Sequence, residues 1–249
     1  TKIAFAYTGQ GSQWIGMGKD LYESEPVVRA VLDRCDKVLR EERNTSLLDA
    51  MFGQTGDLSD LPAIYAMESA LAALWSSVGI QPSVVVGHGI GEIAAAQAAG
   101  VFSLEDGLRV ALEWDTGNLE ATLTDVTIAS PSLVLVSSVT GGVEVLDAAY
   151  WRRQAQEPAA FDKCAKKLVN LGVNVLIEIG PNAVPGPIAG DANPPVVLSS
   201  LGDNGFIEAV AKAYEAGLSV SFPGLFAGET RRRISLPSYP FQRQHYWIQ

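Results

Sequence analysis

At 249 residues the chain can bury one large core or form a large and a small domain. Its 18 Lys and Arg stand against 28 Asp and Glu, a formal charge of −10 that argues against a nucleic-acid or anionic-membrane surface. With 47% hydrophobic and 18% charged residues it has the composition of folded protein, and its apolar runs break well short of a membrane span.

Lys2 to Tyr7 (KIAFAY) is expected to be a strand, running into the glycine-spaced loop Thr8 to Gln13, which lacks the spacing and lysine of a phosphate cradle. Ser24 as N-cap, with Pro26 in the first turn and Val28, Val31, Leu32, Cys35 and Leu39 at helical spacing, predicts a helix. Leu61 to Val78 predicts a second, more apolar one, ended by Gly79 and Pro82. The β-branched run Val84 to Val86 then meets Gly87-His-Gly-Ile-Gly-Glu92 and the alanine-rich segment to Gly100. A buried strand that turns sharply into a helix is written this way, and it is the setting of a nucleophile elbow, G-x-S-x-G, with Gly89 in the place of the serine.

Ser103 to Asp106 reads as a capping box opening a helix to about Leu112, and Trp114 to Thr127 as a stretch of turns with weak periodicity. Strands are expected at Leu133 to Ser137, Val173 to Ile179 and, at a sheet edge, Val196 to Leu201. Helices are expected over Tyr150 to Gln154, Pro158 to Leu171 and Asn204 to Ala216. Alternating strands and helices favour a parallel α/β sheet. From Phe222 onward the period is lost, and Tyr239, Phe241, Tyr246 and Trp247 need another surface to bury against.

Cys35 and Cys164 sit among apolar neighbours without CxxC spacing, as reduced core thiols in a cytosolic protein would. His88 and His245 are the two histidines of the chain, too few for a clustered metal site, so no metal or other cofactor is expected. Thr1 to Gly18 has no signal-peptide character, and the expected place is the cytoplasm.

Five segments in order, AFAYTGQGSQWIGMG, VVVGHGIGEIAAAQAAGVFSLEDGLRVA, YWRRQAQEPAAF, VLIEIGPNAVP and LPSYPFQRQHYW, resemble the acyltransferase domain of modular polyketide synthases, a relative of the malonyl-CoA:acyl-carrier-protein transacylases. The resemblance implies the large α/β-hydrolase-like, parallel-sheet subdomain of that fold over residues 1–221. It implies a linker over 222–249 whose 236–247 stretch packs on a neighbouring ketosynthase. In that family the elbow serine attacks an acyl-CoA, a histidine from a later segment is the general base, and an arginine pairs with the extender carboxylate. The oxyanion hole is formed by backbone N–H groups at positions that are Gln10 and Ile90 here.

The chain departs from that pattern at each chemical position. Gly89 stands for the serine, Trp114 for the arginine, with the nearest arginine, Arg109, earlier in the chain, and Asn182 for the histidine of the EIGPHP turn. The connection near 113–126 is too short for the segment with the base histidine and for the small ferredoxin-like subdomain. Gly87, His88 and Gly91 keep the turn. Ser12 as a substitute nucleophile is outweighed by a cap or turn role. The expected function is an inactive pseudo-acyltransferase, a spacer or docking platform in a polyketide synthase. Its expected partners are neighbouring synthase domains, with an acyl carrier protein or a separate acyltransferase as further ones. Two alternatives stand: a domain that binds or hydrolyses acyl thioesters without a covalent intermediate, and an engineered inactive acyltransferase.

Overall fold

The computed structural model describes residues 1–10, 14–53, 60–180, 194–201, 205–227, 229–230 and 234–240. Ser12, Asn182, Arg231 to Arg233 and His245 lie outside them.

Five short apolar segments form one parallel sheet: β1 (Ile3–Tyr7), β2 (Val84–Gly87), β3 (Val134–Val136), β4 (Val175–Ile179) and β5 (Val196–Ser199). Their order is β3-β2-β1-β4-β5, and every pairing is parallel. Residues 2–7 enter the middle of the sheet, which is why Ala4, Ala6 and Phe5 are buried on both faces at once. This is a doubly wound order, and the connections change direction between β1 and β4, the place where such sheets open a crevice at their C-terminal ends.

The first connection holds α1 (Lys19–Ser24), α2 (Pro26–Arg43), α3 (Leu47–Met51) and α4 (Asp60–Ser77). The sequence suggests Ser24 as the N-cap of α2, but Ser24 ends α1 and the break falls at Glu25, at φ −107° and ψ 108°. A residue before proline is driven out of the helical region, so Pro26 fixes the break one residue later than the cap pattern suggests. Beyond β2 come α5 (Gly91–Ala98), α6 (Leu104–Glu113) and α7 (Leu119–Asp125). Ser103 caps α6 by accepting from the Asp106 N–H at 3.0 Å, while the Asp106 carboxylate turns to Arg109 at 2.7 Å. Ser103→Ala is expected to cost about 1 kcal/mol of unfolding free energy in urea titration.

The stretch expected to be irregular contains α7, which lies on α6 and on α8 (Ala148–Gln156). Leu119 and Leu123, four residues apart, bury against the core and stabilise a helix that its threonines disfavour. Next comes α9 (Phe161–Asn170), which covers one face of the sheet by placing Cys164 and Leu168 over Ala4, Ala6, Val84, Val86 and Leu176. The other face carries the large core, to which α4, α5, α6 and α10 (Phe206–Glu215) contribute. Trp75 of α4, fully buried, donates to Ser200 Oγ at 2.8 Å and meets Phe206 edge-on, joining α4 to the β5 side. A last short helix, α11 (Phe222–Leu225), begins where the sequence loses its period; the Ser221 N–H donates to the Val78 carbonyl at 2.7 Å, so the chain stays tied to the end of α4 there. No described helix is long and apolar enough to cross a membrane.

Candidate functional site

Between β2 and α5 the chain reverses in three residues, and glycine is required on both sides of the turn. A methyl group on Gly87 would overlap the backbone of Gly91 and Glu92, and one on Gly91 would overlap the Thr8 carbonyl oxygen. The first step of α5 therefore rests directly against the end of β1, an approach that leaves no space for a side chain. Gly89, at the tip, has φ +56°, and no described atom lies within 4 Å of where its Cβ would be. A side chain at the tip would be strained in its backbone but unobstructed.

Gly87 pairs with Tyr7, so the elbow and the loop leaving β1 share one rim of the sheet. On that rim Gln10 is exposed, while Ile90 is buried at the start of α5. The His88 N–H donates to the Tyr7 carbonyl at 3.0 Å, and its ring and carbonyl close over Gly9.

Below the tip lies a polar cluster that the sequence pattern did not single out. Glu92, fully buried in α5, accepts from the Ser138 N–H at 3.2 Å, the Ser138 and Tyr150 hydroxyls, and the Gln154 Nε2 at 3.0 Å. The same Nε2 donates to the Gly89 carbonyl at 2.8 Å. Elbow, β3 loop and α8 are thus held on one carboxyl. Burial pushes that carboxyl up to about 7, although each of these donors pulls it down. An acidic residue inside an otherwise alanine-rich, apolar-all-round helix was the one local signal for it. Its partners stand 46 to 62 positions away in sequence and could not be read locally.

A second buried carboxyl, Glu68 of α4, takes the Thr8 hydroxyl at 2.8 Å beneath the loop leaving β1. Desolvation raises its pKa well above that of an ordinary glutamate, while the hydrogen bonds from Thr8 pull it down.

The remaining sequence-singled residues are not gathered at the tip. Trp114 ends α6, half-buried against the core. Arg109 is held between Glu42 and Asp106, each at 2.7 Å, in a polar groove of about 370 Å³ between α2, α6 and α7. There Arg43 pairs with Glu113, which the Thr116 hydroxyl also reaches. Leu119 and Leu123 pack on the α6 and α8 side, and none of the described atoms comes within 4 Å of a Cβ at Gly89. Cys35 and Cys164 are buried, their thiols pushed up to about 12 by desolvation, which leaves them protonated and inert. Among the described residues no three or more metal-binding side chains cluster.

Residues 4–124 match the family described as acyl transferase domain. Over 99% of its length the chain is 30% identical to the spectinabilin polyketide synthase system protein NorA' of Streptomyces orinoci, of which it covers 10%. It is 29% identical over its whole length to polyketide synthase GfsE of Streptomyces halstedii, of which it covers 9%. The chain therefore spans about a tenth of the length of these relatives. The two alignments run over 352 and 347 residues, more than the 249 of this chain, so the relatives carry residues for which it has no counterpart. In three dimensions it is similar to the acyltransferase domain from the second module of the salinomycin polyketide synthase. The TM-score is 0.82 at 23% identity, over 96% of this chain and 79% of that one, a likeness of fold.

Proposed function

We propose that this chain, whose residues 4–124 match the acyl transferase family and whose fold is similar to that of an acyltransferase domain, is a polyketide synthase acyltransferase that has lost covalent chemistry and serves as a spacer or docking platform. The observation that carries this is Gly89. The elbow keeps its tight glycines and its strained tip, and the residue at the tip has no side chain to act as nucleophile. Acyl transfer through an acyl-enzyme has no first step without one.

Three further observations support the reading. The His88 ring is folded over Gly9 and is not placed as a general base on the tip. Arg109 is already matched by two carboxylates and is not available to a third. The longer alignments of the relatives fit a missing subdomain near residues 113–126, where α7 now closes the core. In this reading residues 1–221 are the domain and 222–249 the linker. Exposed Ile234, Leu236 and Tyr239 would bury on a neighbouring synthase domain, a ketosynthase by family resemblance, inside the cytoplasm. The module would then receive its extender unit from a separate acyltransferase, or need none, with an acyl carrier protein as a further partner.

Intact-mass measurement after incubation with malonyl-CoA or methylmalonyl-CoA should show no added acyl mass. A stable acyl adduct would remove the reading.

The lack of any described atom within 4 Å of a Cβ at Gly89 favours one other reading, an acyl-thioester site that works without a covalent intermediate, with Gln10 and Ile90 as oxyanion donors. It requires CoA release from an acyl thioester above the uncatalysed background. No CoA release above background, by wild type and Gln10→Ala alike, eliminates it.

A further inference from the structure

The basic residues of this acidic chain are unevenly placed. Residues 148–170 hold five Lys and Arg against two Asp and Glu, net +3, while the rest of the chain holds 13 against 26, net −13. Between Arg43 and Arg152 the chain has a single Lys or Arg, Arg109, and it is matched by Glu42 and Asp106.

The five belong to α8 and α9. Arg152 is paired with Glu120 of α7 at 2.9 Å, and Arg153 with Glu144. Lys163, Lys166 and Lys167 make no ion pair among the described residues, and Asp162, one turn before Lys166, does not close on it. Cys164 and Leu168 face the sheet from α9. At about 100° per residue the three lysines fall within about 100° of arc, on a flank turned away from those two. Lys163 and Lys166 are exposed and Lys167 is half-buried. Lys163 precedes the other two by three and four positions, spacings at which like charges repel. The helix bears that penalty alone, and an anionic partner would reverse it.

The loop between β3 and α8, residues 137–147, rests on the start of the same helix. A methyl group on Gly141 would overlap Lys163, and the Ala160 N–H donates to the Ser138 carbonyl at 2.6 Å. Along this loop Leu146 is buried and Glu144 turns to Arg153, which leaves Val143 and Val145 facing outward, 58% and 80% exposed. Two outward valines thus stand on a loop that touches the lysine-bearing helix, and the lysine stems add further apolar surface.

We propose that α9 and the loop 137–147 form a docking surface for an acidic, amphipathic segment of another protein chain. Its carboxylates would pair with Lys163, Lys166 and Lys167, and its apolar residues would cover Val143 and Val145. Charge complementarity selects this partner. A segment of +3 on a chain of −10 attracts carboxylates locally, while the −13 of the remainder repels a long polyanion such as a nucleic acid. The valines point the same way, because a phosphate backbone is held by cations and hydrogen-bond donors and has nothing to place on aliphatic side chains. None of these residues belongs to the elbow or the 222–249 tail, so the surface stands whether or not the domain transfers acyl groups.

The test is a nuclear magnetic resonance titration of the full chain with three probes. The first is a synthetic peptide of about four helical turns with leucines along one stripe and glutamates beside it. The second is poly-glutamate of the same length, and the third a single-stranded DNA oligonucleotide. The leucine–glutamate peptide should give saturable shifts confined to the amides of residues 137–147 and α9. Poly-glutamate and the oligonucleotide should bind at least about tenfold more weakly. Lys163→Glu combined with Lys166→Glu should weaken the peptide by about tenfold or more, Val145→Ser by severalfold, and raising salt from about 0.05 M to about 0.5 M should weaken it as well. Absence of saturable shifts, or shifts spread over other faces, overturns the proposal and leaves a solvated basic face. Poly-glutamate binding as tightly as the peptide removes the valines from it, and tighter binding of the oligonucleotide reassigns the surface to polyphosphates. Peptide binding that the lysine reversals leave unchanged also overturns it. Should the double reversal fail to fold, Val145→Ser and the salt dependence decide in its place, and peptide binding indifferent to both overturns the proposal.

Discussion

Gly91→Ala should lower the unfolding free energy by about 4 kcal/mol or more, at the severe end of single substitutions. The added methyl has nowhere to go, because it would overlap the Thr8 carbonyl oxygen, and both partners are backbone. Thr8 is fixed in turn by its N–H on the Ile179 carbonyl at 3.1 Å and by its hydroxyl on Glu68 at 2.8 Å. Relief would require α5 to lift off the end of β1, opening the packing of Ile93, Ala94 and Ala95, all fully buried. Gly89→Ala makes the matched comparison. Its Cβ meets open space, so only the left-handed φ of +56° is penalised, at about 1 kcal/mol. Urea titrations of the two variants should separate them clearly, and equal losses would mean that the elbow does not rest on β1.

Placing a serine at Gly89 should not create an acyltransferase. The variant is expected to fold with a loss of about 1 kcal/mol, and its hydroxyl to stand free at the tip. A serine without a base is a weak nucleophile, and removal of a positioned base typically lowers turnover by several orders of magnitude. The His88 ring is over Gly9, and Glu92 is beneath the turn, held by Ser138, Tyr150 and Gln154, so neither is on the open side. With malonyl-CoA and a carrier protein, transfer by Gly89→Ser should stay at the level of the parent chain. Transfer within about tenfold of an intact acyltransferase would overturn the proposed loss of chemistry.

The strands were legible because each is an apolar, β-branched run bounded by breakers, and the elbow because three glycines punctuate it. Strand order was not, since Ile3 pairs with Val175 and nothing near either residue says so. The capping serine of α6 was read correctly from four residues, whereas at Ser24 proline geometry overrode the cap. α7 escaped notice because Leu119 and Leu123 gain their stabilisation from α6 and α8, a tertiary effect acting on a weakly helical sequence. Site geometry followed the same division. The turn around Gly89 is local and could be foreseen, while the Glu92 cluster is assembled from three distant segments.

The central place of β1 also governs how the domain can be made. Its two neighbours are β2, about eighty positions on, and β4, with Ile3 paired to Val175. During synthesis the strand can dock on β2 early, but its other edge stays unpaired until the chain has grown past β4. A nascent or truncated chain that stops after α8 would present that bare, apolar edge to other chains, and would be expected to aggregate while the full chain stays monodisperse.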